Sequence, residues 1–349
     1  MDRSPRRGED ADRARKSVMR FSVLGAGGWG TAFARLLALS GHSVTLWARD
    51  PEKARVLARE RENKPYLPGV SLPRENLEVT SELPRTADAD AIVLAVPSFA
   101  VAEIADRFRP FVRPGHLFIN LAKGLDRGSG RTMSEVIAKR IPGRPVFTLS
   151  GPSHAEEVGR DMPTAVVLAG ADLELGKRLQ REISTPRFRV YVSADIRGVE
   201  LCGTVKNIIA IAVGIGDGLG YGDNTRGALI SRGLAEMVRF GRAFGGKERT
   251  FFGLAGLGDL VATATSPHSR NRYVGYRLGK GESIERIMDG MAMVAEGVYA
   301  TDVVHQLAGE RDIDMPITDA VWRLLHGKSD PIALVNEIMS RPPKEERIG

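Results

Sequence analysis

Lys206 lies in the run Glu200-Leu201-Cys202-Gly203-Thr204-Val205-Lys206-Asn207-Ile208-Ile209-Ala210. On a helix, its neighbours three and four residues away are Cys202, Gly203, Ile209 and Ala210. That face is apolar and should be buried. An ammonium there needs a partner, a lost proton or a cleft to open on. If its pKa is lowered toward the working pH, it is suited to general acid–base catalysis. Asn207 beside it either donates to a ligand oxygen or ties the helix to a neighbour, and the spacing does not separate the two.

Other polar groups stand in equally unusual places. Asn120-Leu121-Ala122-Lys123-Gly124-Leu125 follows a β-rich run, which puts Lys123 at a strand's carboxyl end, although a solvated loop lysine fits the same pattern. Asp259 is the one acid in the glycine-rich run Gly253-Leu254-Ala255-Gly256-Leu257-Gly258-Asp259-Leu260, where a carboxylate needs a partner or a task. Ser150-Gly151-Pro152-Ser153-His154-Ala155 offers a tight turn, hydroxyls and the start of a short helix, a setting for an anion or an amide. Within it, His154 reads as a capping or surface residue. Ser269-Arg270-Asn271-Arg272 opens another helix, and a serine, free N–H groups and a guanidinium together suit a phosphate. A helix cap with surface arginines accounts for the same four residues.

Gly25-Ala26-Gly27-Gly28-Trp29-Gly30 matches G-x-G-x-x-G between a strand and a helix. Gly25 permits the tight turn, Gly27 lets backbone approach a pyrophosphate, and Gly30 allows close helix–strand packing. The helix N-terminus then attracts the anion. These residues predict a dinucleotide site. The tip of the second strand carries Arg49, which can accommodate a 2′-phosphate, with Lys53 or Arg55 in support. NADP(H) is therefore expected ahead of NAD(H). Asp50 keeps NAD(H) open, unless it caps the helix that Pro51 begins.

These residues must be held by a framework of β- and α-elements. Segments 21–25, 43–48, 91–96, 117–121, 146–149 and 165–169 read as strands, several of them separated by helical patterns. The alternation predicts an α/β, Rossmann-like, doubly wound parallel sheet. Beyond Asp195 strand signals fade. Helical segments follow at about 196–214, 224–244, 270–280, 299–309 and 315–326, so an all-helical C-terminal domain is expected. The division reads as a tail over 1–17, a dinucleotide-binding domain over 18–195, a helical substrate domain over 196–340 and a loose end over 341–349. The tail mixes Arg3, Arg6, Arg7, Arg13, Arg15 and Lys16 with Asp2, Glu9, Asp10 and Asp12, and its lack of apolar residues predicts disorder. The ligand cleft belongs between the domains, at the carboxyl ends of the strands.

The 349 residues are 42% hydrophobic and 27% charged, an ordinary globular balance. The net charge of +7 is spread along the chain and interleaved with acids, without the aromatic-and-basic pattern of a nucleic-acid binder. Anionic metabolites are the expected partners. One cysteine, Cys202, excludes an intrachain disulfide and fits a reducing cytosol. No continuous run reaches the roughly 18 apolar residues of a spanning helix, so no membrane insertion is expected. No metal-ligand cluster is visible, and cationic side chains can polarise a carbonyl without one.

In order and spacing, segments 25–32, 120–125, 150–155, 203–210, 256–260, 269–272 and 293–297 resemble the NAD(P)-dependent glycerol-3-phosphate dehydrogenases of the bacterial type, over about 20–338. The resemblance implies that Lys206 is the catalytic lysine, the proton acceptor when glycerol 3-phosphate is oxidised. It implies that Lys123 contacts both substrate and cofactor. Gly151, Ser153, Asp259, Ser269 and Asn271 match substrate positions, and Arg270 one shared by both ligands. Gly28, Trp29, Arg49, Ala155, Val294 and Glu296 match cofactor positions. Pro65 departs from the family, which often has a basic or polar residue there.

The implied reaction reduces dihydroxyacetone phosphate with NAD(P)H to sn-glycerol 3-phosphate, a product that the resemblance connects to phospholipid synthesis in the cytoplasm. Lys206 would protonate the nascent alkoxide, Asp259 would orient it, and Lys123 would add a second positive charge. Gly203 is expected to leave room for substrate, and Asn207 counts among the substrate-binding candidates. Two other readings compete: a related hydroxyacid or sugar-acid dehydrogenase, and a non-catalytic dinucleotide-binding redox sensor. A homodimer is open by analogy only.

Overall fold

The computed structural model describes residues 18–291, 293–340 and 345. The tail over 1–17 and, Glu345 apart, the terminal stretch 341–349 lie outside the described residues. The first strand, Arg20–Leu24, is the centre from which the sheet is wound. On one side it pairs in parallel with Ser43–Trp47, which pairs with Leu77–Thr80. On the other side come Ala91–Leu94, Leu117–Asn120 and Val146–Ser150, all parallel. Nearly every residue of these inner strands is buried, as expected of a parallel sheet with helices on both faces. The chain reverses its direction of winding at the first strand, so the crevice opens at the ends of Arg20–Leu24 and Ala91–Leu94.

The structure corrects the all-parallel expectation. Thr164–Gly170 pairs antiparallel with Val146–Ser150, and Phe188–Ser193 then pairs in parallel with Thr164–Gly170. The connection explains the reversal. Its only helix, Ala155–Gly159, spans roughly 8 Å at 1.5 Å per residue. A crossover must travel back along a strand of roughly 16 Å. The chain therefore stays at the carboxyl end of the sheet, lays this short helix against Gly28–Leu39 and re-enters in the opposite sense. The strands Leu77–Thr80 and Phe188–Ser193, and the small antiparallel pair Glu62–Asn63 with Leu67–Ser71, escaped the sequence pattern. All three lie at edges, where exposure interrupts the apolar run.

The C-terminal domain is built around one helix, Ile196–Gly218. Asp195 caps it, accepting the Gly198 N–H at 3.0 Å. By length and composition this helix could cross a bilayer, although the longest uninterrupted apolar run is far shorter. Its most apolar 18-residue window is wholly buried inside the protein. The helices Asp223–Ala243, Asp259–Thr265, Arg270–Gly279, Glu296–Glu310 and Pro316–Leu325 surround it. Apolar side chains on every face explain why it shows no amphipathic stripe.

The approach of Arg270–Gly279 to the central helix is close enough to forbid side chains. A Cβ on Gly275 would stand 2.0 Å from the Ile211 carbonyl oxygen, and one on Gly214 2.1 Å from that of Arg272. In an unconstrained helix interior, alanine in place of glycine gains about 1 kcal/mol. Here the obstacle is backbone, so overpacking prevails. Gly275→Ala is expected to destabilise the protein by about 1–3 kcal/mol, seen as a lower urea midpoint with an unchanged m-value.

Candidate active site

The cleft between sheet and helices has a volume of about 950 Å³. Its nucleotide end is formed by the glycine turn. Gly25 has φ +123°, a conformation that a side chain would strain. A Cβ on Gly30 would lie 2.0 Å from the Gly25 carbonyl oxygen, so this glycine sits behind the cleft wall and lets helix and strand approach. Gly27 has open space where a Cβ would be, and no side chain caps the helix that Gly28 begins. An open surface over free N–H groups at a helix N-terminus fits a pyrophosphate. Gly28, Trp29 and Ala155 line the same region. Arg49 is exposed at the cleft wall, at the end of the second strand. Asp50 is committed elsewhere: its carboxylate accepts the N–H groups of Glu52 at 2.8 Å and Lys53 at 3.1 Å, capping Pro51–Glu60. These features together fit a nicotinamide dinucleotide.

The other end holds the charged centre. Lys206 is 4% exposed on the central helix. Its Nζ lies 2.9 Å from Asp259 Oδ1 and donates to Thr263 Oγ1 at 2.5 Å. Lys123 Nζ lies 2.7 Å from Asp259 Oδ2 and donates to the Gly151 carbonyl at 3.1 Å. One carboxylate thus carries an ammonium on each oxygen. Burial lowers the Lys206 pKa to about 8, opposed by Asp259 and assisted by the like charge of Lys123. Burial acts to raise the Asp259 pKa, but the two lysines outweigh it and hold the acid below its ordinary range. Asp259 stays ionised, while Lys206 titrates near the working pH.

Local structure explains the placements. The run Leu254–Gly258 forms a single π-helical turn before the helix Asp259–Thr265. A Cβ on Gly256 would stand 2.0 Å from the Phe251 carbonyl oxygen, which accounts for glycine in that run. The turn delivers Asp259 to the cleft. Thr263, one helical turn later, faces the same way and donates to Asp259 Oδ1 at 3.1 Å. Sequence reasoning passed over Thr263, although the four-residue interval from Asp259 is a signal that the two share a face.

Asn207 proves to be a tie. Its side-chain oxygen accepts from Asn271 Nδ2 at 2.9 Å, and Asn271 Oδ1 accepts the Gly297 N–H at 2.9 Å. Both asparagines still line the cleft. Gly203 corrects another expectation. A Cβ there would meet Ser150 Oγ at 3.2 Å and Lys123 Cγ at 3.4 Å, and Gly203 lies outside the cleft lining, so the space that it leaves goes to these two side chains. Gly151 supports Lys123 from behind the cleft wall through its carbonyl.

Ser153, Ser269, Arg270, Val294 and Glu296 also border the cleft. Ser269 caps Arg270–Gly279, accepting the Arg272 N–H at 3.2 Å. Arg270 donates to the Val294 carbonyl at 2.7 Å. Glu296 accepts the Ser98 N–H at 2.8 Å and the Ser98 hydroxyl at 2.5 Å, joining the two domains at the cleft mouth. His154 stands at the N-cap position of its helix without a side-chain cap bond and is half-buried, lining the cleft. Its Nε2 lies 3.3 Å from the Ala262 carbonyl oxygen, and burial, with Lys206 and Lys123 nearby, lowers its pKa.

A dinucleotide cradle and a paired-lysine centre therefore share one cleft. The model of the NAD-dependent glycerol-3-phosphate dehydrogenase N-terminus matches residues 20–176, and that of the C-terminus matches residues 195–336. The chain belongs to the NAD-dependent glycerol-3-phosphate dehydrogenase family. It is 45% identical over 329 residues to a glycerol-3-phosphate dehydrogenase [NAD(P)+] of Desulfitobacterium hafniense, covering 94% of this chain and 93% of that one. Identity to the protein of the same name from Prosthecochloris aestuarii is 49% over 332 residues, 94% of this chain and all of that one. The crystal structure of glycerol-3-phosphate dehydrogenase from Coxiella burnetii superposes with a TM-score of 0.89 at 43% identity, covering 93% of this chain and 99% of that one.

Lys206→Ala leaves the glycine turn and Arg49 untouched. Its kcat should fall by roughly 10²–10⁴-fold, the general acid–base range, with dinucleotide affinity largely kept in a fluorescence titration. Near-normal turnover would remove Lys206 from the chemistry.

Proposed function

We propose that the chain interconverts dihydroxyacetone phosphate and sn-glycerol 3-phosphate, using Lys206 as the proton donor and acceptor. The observation that carries this reading is the pair of lysines sharing Asp259 in the cleft that the glycine turn opens on. When bound, the reduced dinucleotide supplies a hydride to the ketone carbon. The carbonyl oxygen then becomes an alkoxide and needs positive charge and a proton. Lys206 provides both, and its pKa of about 8 lets it give up the proton near neutrality. Lys123, on the other oxygen of Asp259, adds a second positive charge for the developing alkoxide. Asp259 and Thr263 hold the Lys206 ammonium in position.

The phosphate of the substrate goes to Arg270 with the polar groups of Ser269, Asn271 and Ser153. Anchoring it there positions a small ketone and favours it over unphosphorylated analogues. Gly28, Trp29, Ala155, Val294 and Glu296 take the dinucleotide, with the pyrophosphate over Gly25 and Gly27. Arg49 takes a 2′-phosphate, which makes NADP(H) the preferred cofactor while NAD(H) remains usable. Asp50 is a helix cap in this reading and does not select NAD(H). A preference for NADPH drives the reaction toward glycerol 3-phosphate, the precursor for phospholipid synthesis in the cytoplasm. The division between the two domains falls at Asp195. A hydroxyacid dehydrogenase gains nothing from the Ser269-Arg270 cluster, and a redox sensor has no need of two lysines on one acid.

The direct test is the loss of reduced-nicotinamide absorbance on adding dihydroxyacetone phosphate, run in parallel with both cofactors and against 2-keto acids. No loss with the phosphorylated ketone would sink the assignment. Lys206 must be protonated to reduce the ketone. The rate of reduction is therefore expected to fall as pH rises through about 8, while the reverse oxidation gains. Arg49→Ala should weaken NADPH binding with little change for NADH, and equal losses for both would contradict its role at the 2′-phosphate.

A further inference from the structure

Glu200 lies on the central helix, 4% exposed, and its pKa is raised by burial. Its bonded partners are all uncharged. One oxygen accepts from Asn120 Nδ2 at 3.1 Å, the Ser134 N–H at 2.9 Å and Thr148 Oγ1 at 3.0 Å, and the other accepts the Ser134 hydroxyl. Asn120 and Thr148 stand on adjacent strands of the sheet, and Ser134 in the helix Met133–Arg140. A buried acid that bonds only to neutral donors across a domain boundary is costly to desolvate, so its geometry must matter.

The geometry leads to Lys123. The Asn120 side chain clamps Ala122 at both backbone groups, accepting its N–H at 3.0 Å and donating to its carbonyl at 3.0 Å. Lys123 is the next residue. The central helix also touches the Lys123 stem at Gly203, where a Cβ would leave only 3.4 Å. Contacts therefore run from Glu200 through Asn120 and Ala122 to Lys123, on to Asp259, and back to the same helix at Lys206.

We propose that Glu200 is a positioning residue which, through Asn120, sets the place of Lys123 against Asp259 and so the partner that Asp259 offers to Lys206. The acceptor oxygen of Glu200 does this work, and its charge does not. Lys206 faces Asp259 and Arg270 on two helices and Lys123 and His154 on two loops after strands. If Lys123 drifts, Lys206 loses a like charge and keeps Asp259 to itself, so its pKa rises. Simple removal of a nearby anion would lower it, which gives the two effects opposite signs.

The test uses Glu200→Ala, Glu200→Gln and Asn120→Ala in the full chain. This inference rests on the proposed role of Lys206, so it is read in two ways. In the cofactor-free protein, the pH midpoint of Lys206 acetylation by trace acetic anhydride is followed by peptide mass spectrometry, which needs no turnover. In the enzyme, the alkaline limb of kcat/KM for ketone reduction is followed, with the wild type as the control for the proposed function. Glu200→Ala and Asn120→Ala should move both midpoints upward by at least half a pH unit, roughly a threefold change in acidity. Their kcat should fall on the order of 10–10²-fold, the scale of an ångström-sized misplacement. Glu200→Gln keeps the acceptor oxygen and should restore the wild-type midpoints. If Glu200→Ala fails to fold, Asn120→Ala breaks the same chain of contacts at its next link. Unchanged or lowered midpoints in a folded alanine variant overturn the proposal, as does a glutamine variant no better than alanine. Wild-type protein without turnover, but with the expected acetylation shifts, would instead unseat the proposed reaction and leave the positioning role intact.

Discussion

Asp259 is the constraint around which the site is organised. Two ammonium groups are held against one carboxylate in the cleft, and they repel each other. At close contact and an effective dielectric of 20, a charge pair is worth on the order of 4 kcal/mol. One carboxylate with a lysine on each oxygen replaces that repulsion by two attractions. The arrangement leaves a net positive centre where an electron-rich oxygen can be met. It also makes the lysines unequal, because Lys206 is buried at 4% exposure while Lys123 reaches further toward the opening. Burial brings the first close to neutrality in its titration.

A centre of this kind requires a rigid frame. The central helix supplies it through contacts that leave no room for adjustment, with backbone against backbone at Gly214 and Gly275. The π-helical turn before Asp259 spends regular hydrogen bonding to aim one carboxylate. The asparagine pair Asn207–Asn271, with the Gly297 N–H, ties three helices together directly beside the charges. Glu200 and Glu296 join these helices to the sheet domain, Glu296 at the cleft and Glu200 behind its wall. Polar groups thus bind the domains together at the cleft and behind it, and apolar packing fills the space around them.

The sheet contributes position more than chemistry. Its winding reverses at Arg20–Leu24, which places the glycine turn, the tip with Arg49 and the loop with Lys123 along one crevice. The strand reversal at Thr164–Gly170 keeps the short helix Ala155–Gly159 at that same edge. The loop that carries Ser153, His154 and Ala155 therefore faces the cleft, where a full crossover helix would have carried the chain away.

The sequence by itself determined the glycine cradle, the buried Lys206 and the succession of sheet and helices. Each of these is local: a turn needing φ +123° at Gly25, a cation on an apolar helix face, or an apolar period read over one element. The main helices of the C-terminal half were legible for the same reason, and the exposed edge strands were not. Only the tertiary structure decided which groups meet. It joined Lys123 to Asp259 across 136 residues of chain, set Lys206 on the other oxygen of the same carboxylate and added Thr263 to them. It gave the space beside Gly203 to Ser150 and Lys123, turned Asn207 into a tie, spent Asp50 on a helix cap and reversed one strand. The physical reason is that hydrogen bonds and ion pairs act through a few ångströms of space, and the separation along the chain of the groups they unite leaves no mark in composition or period.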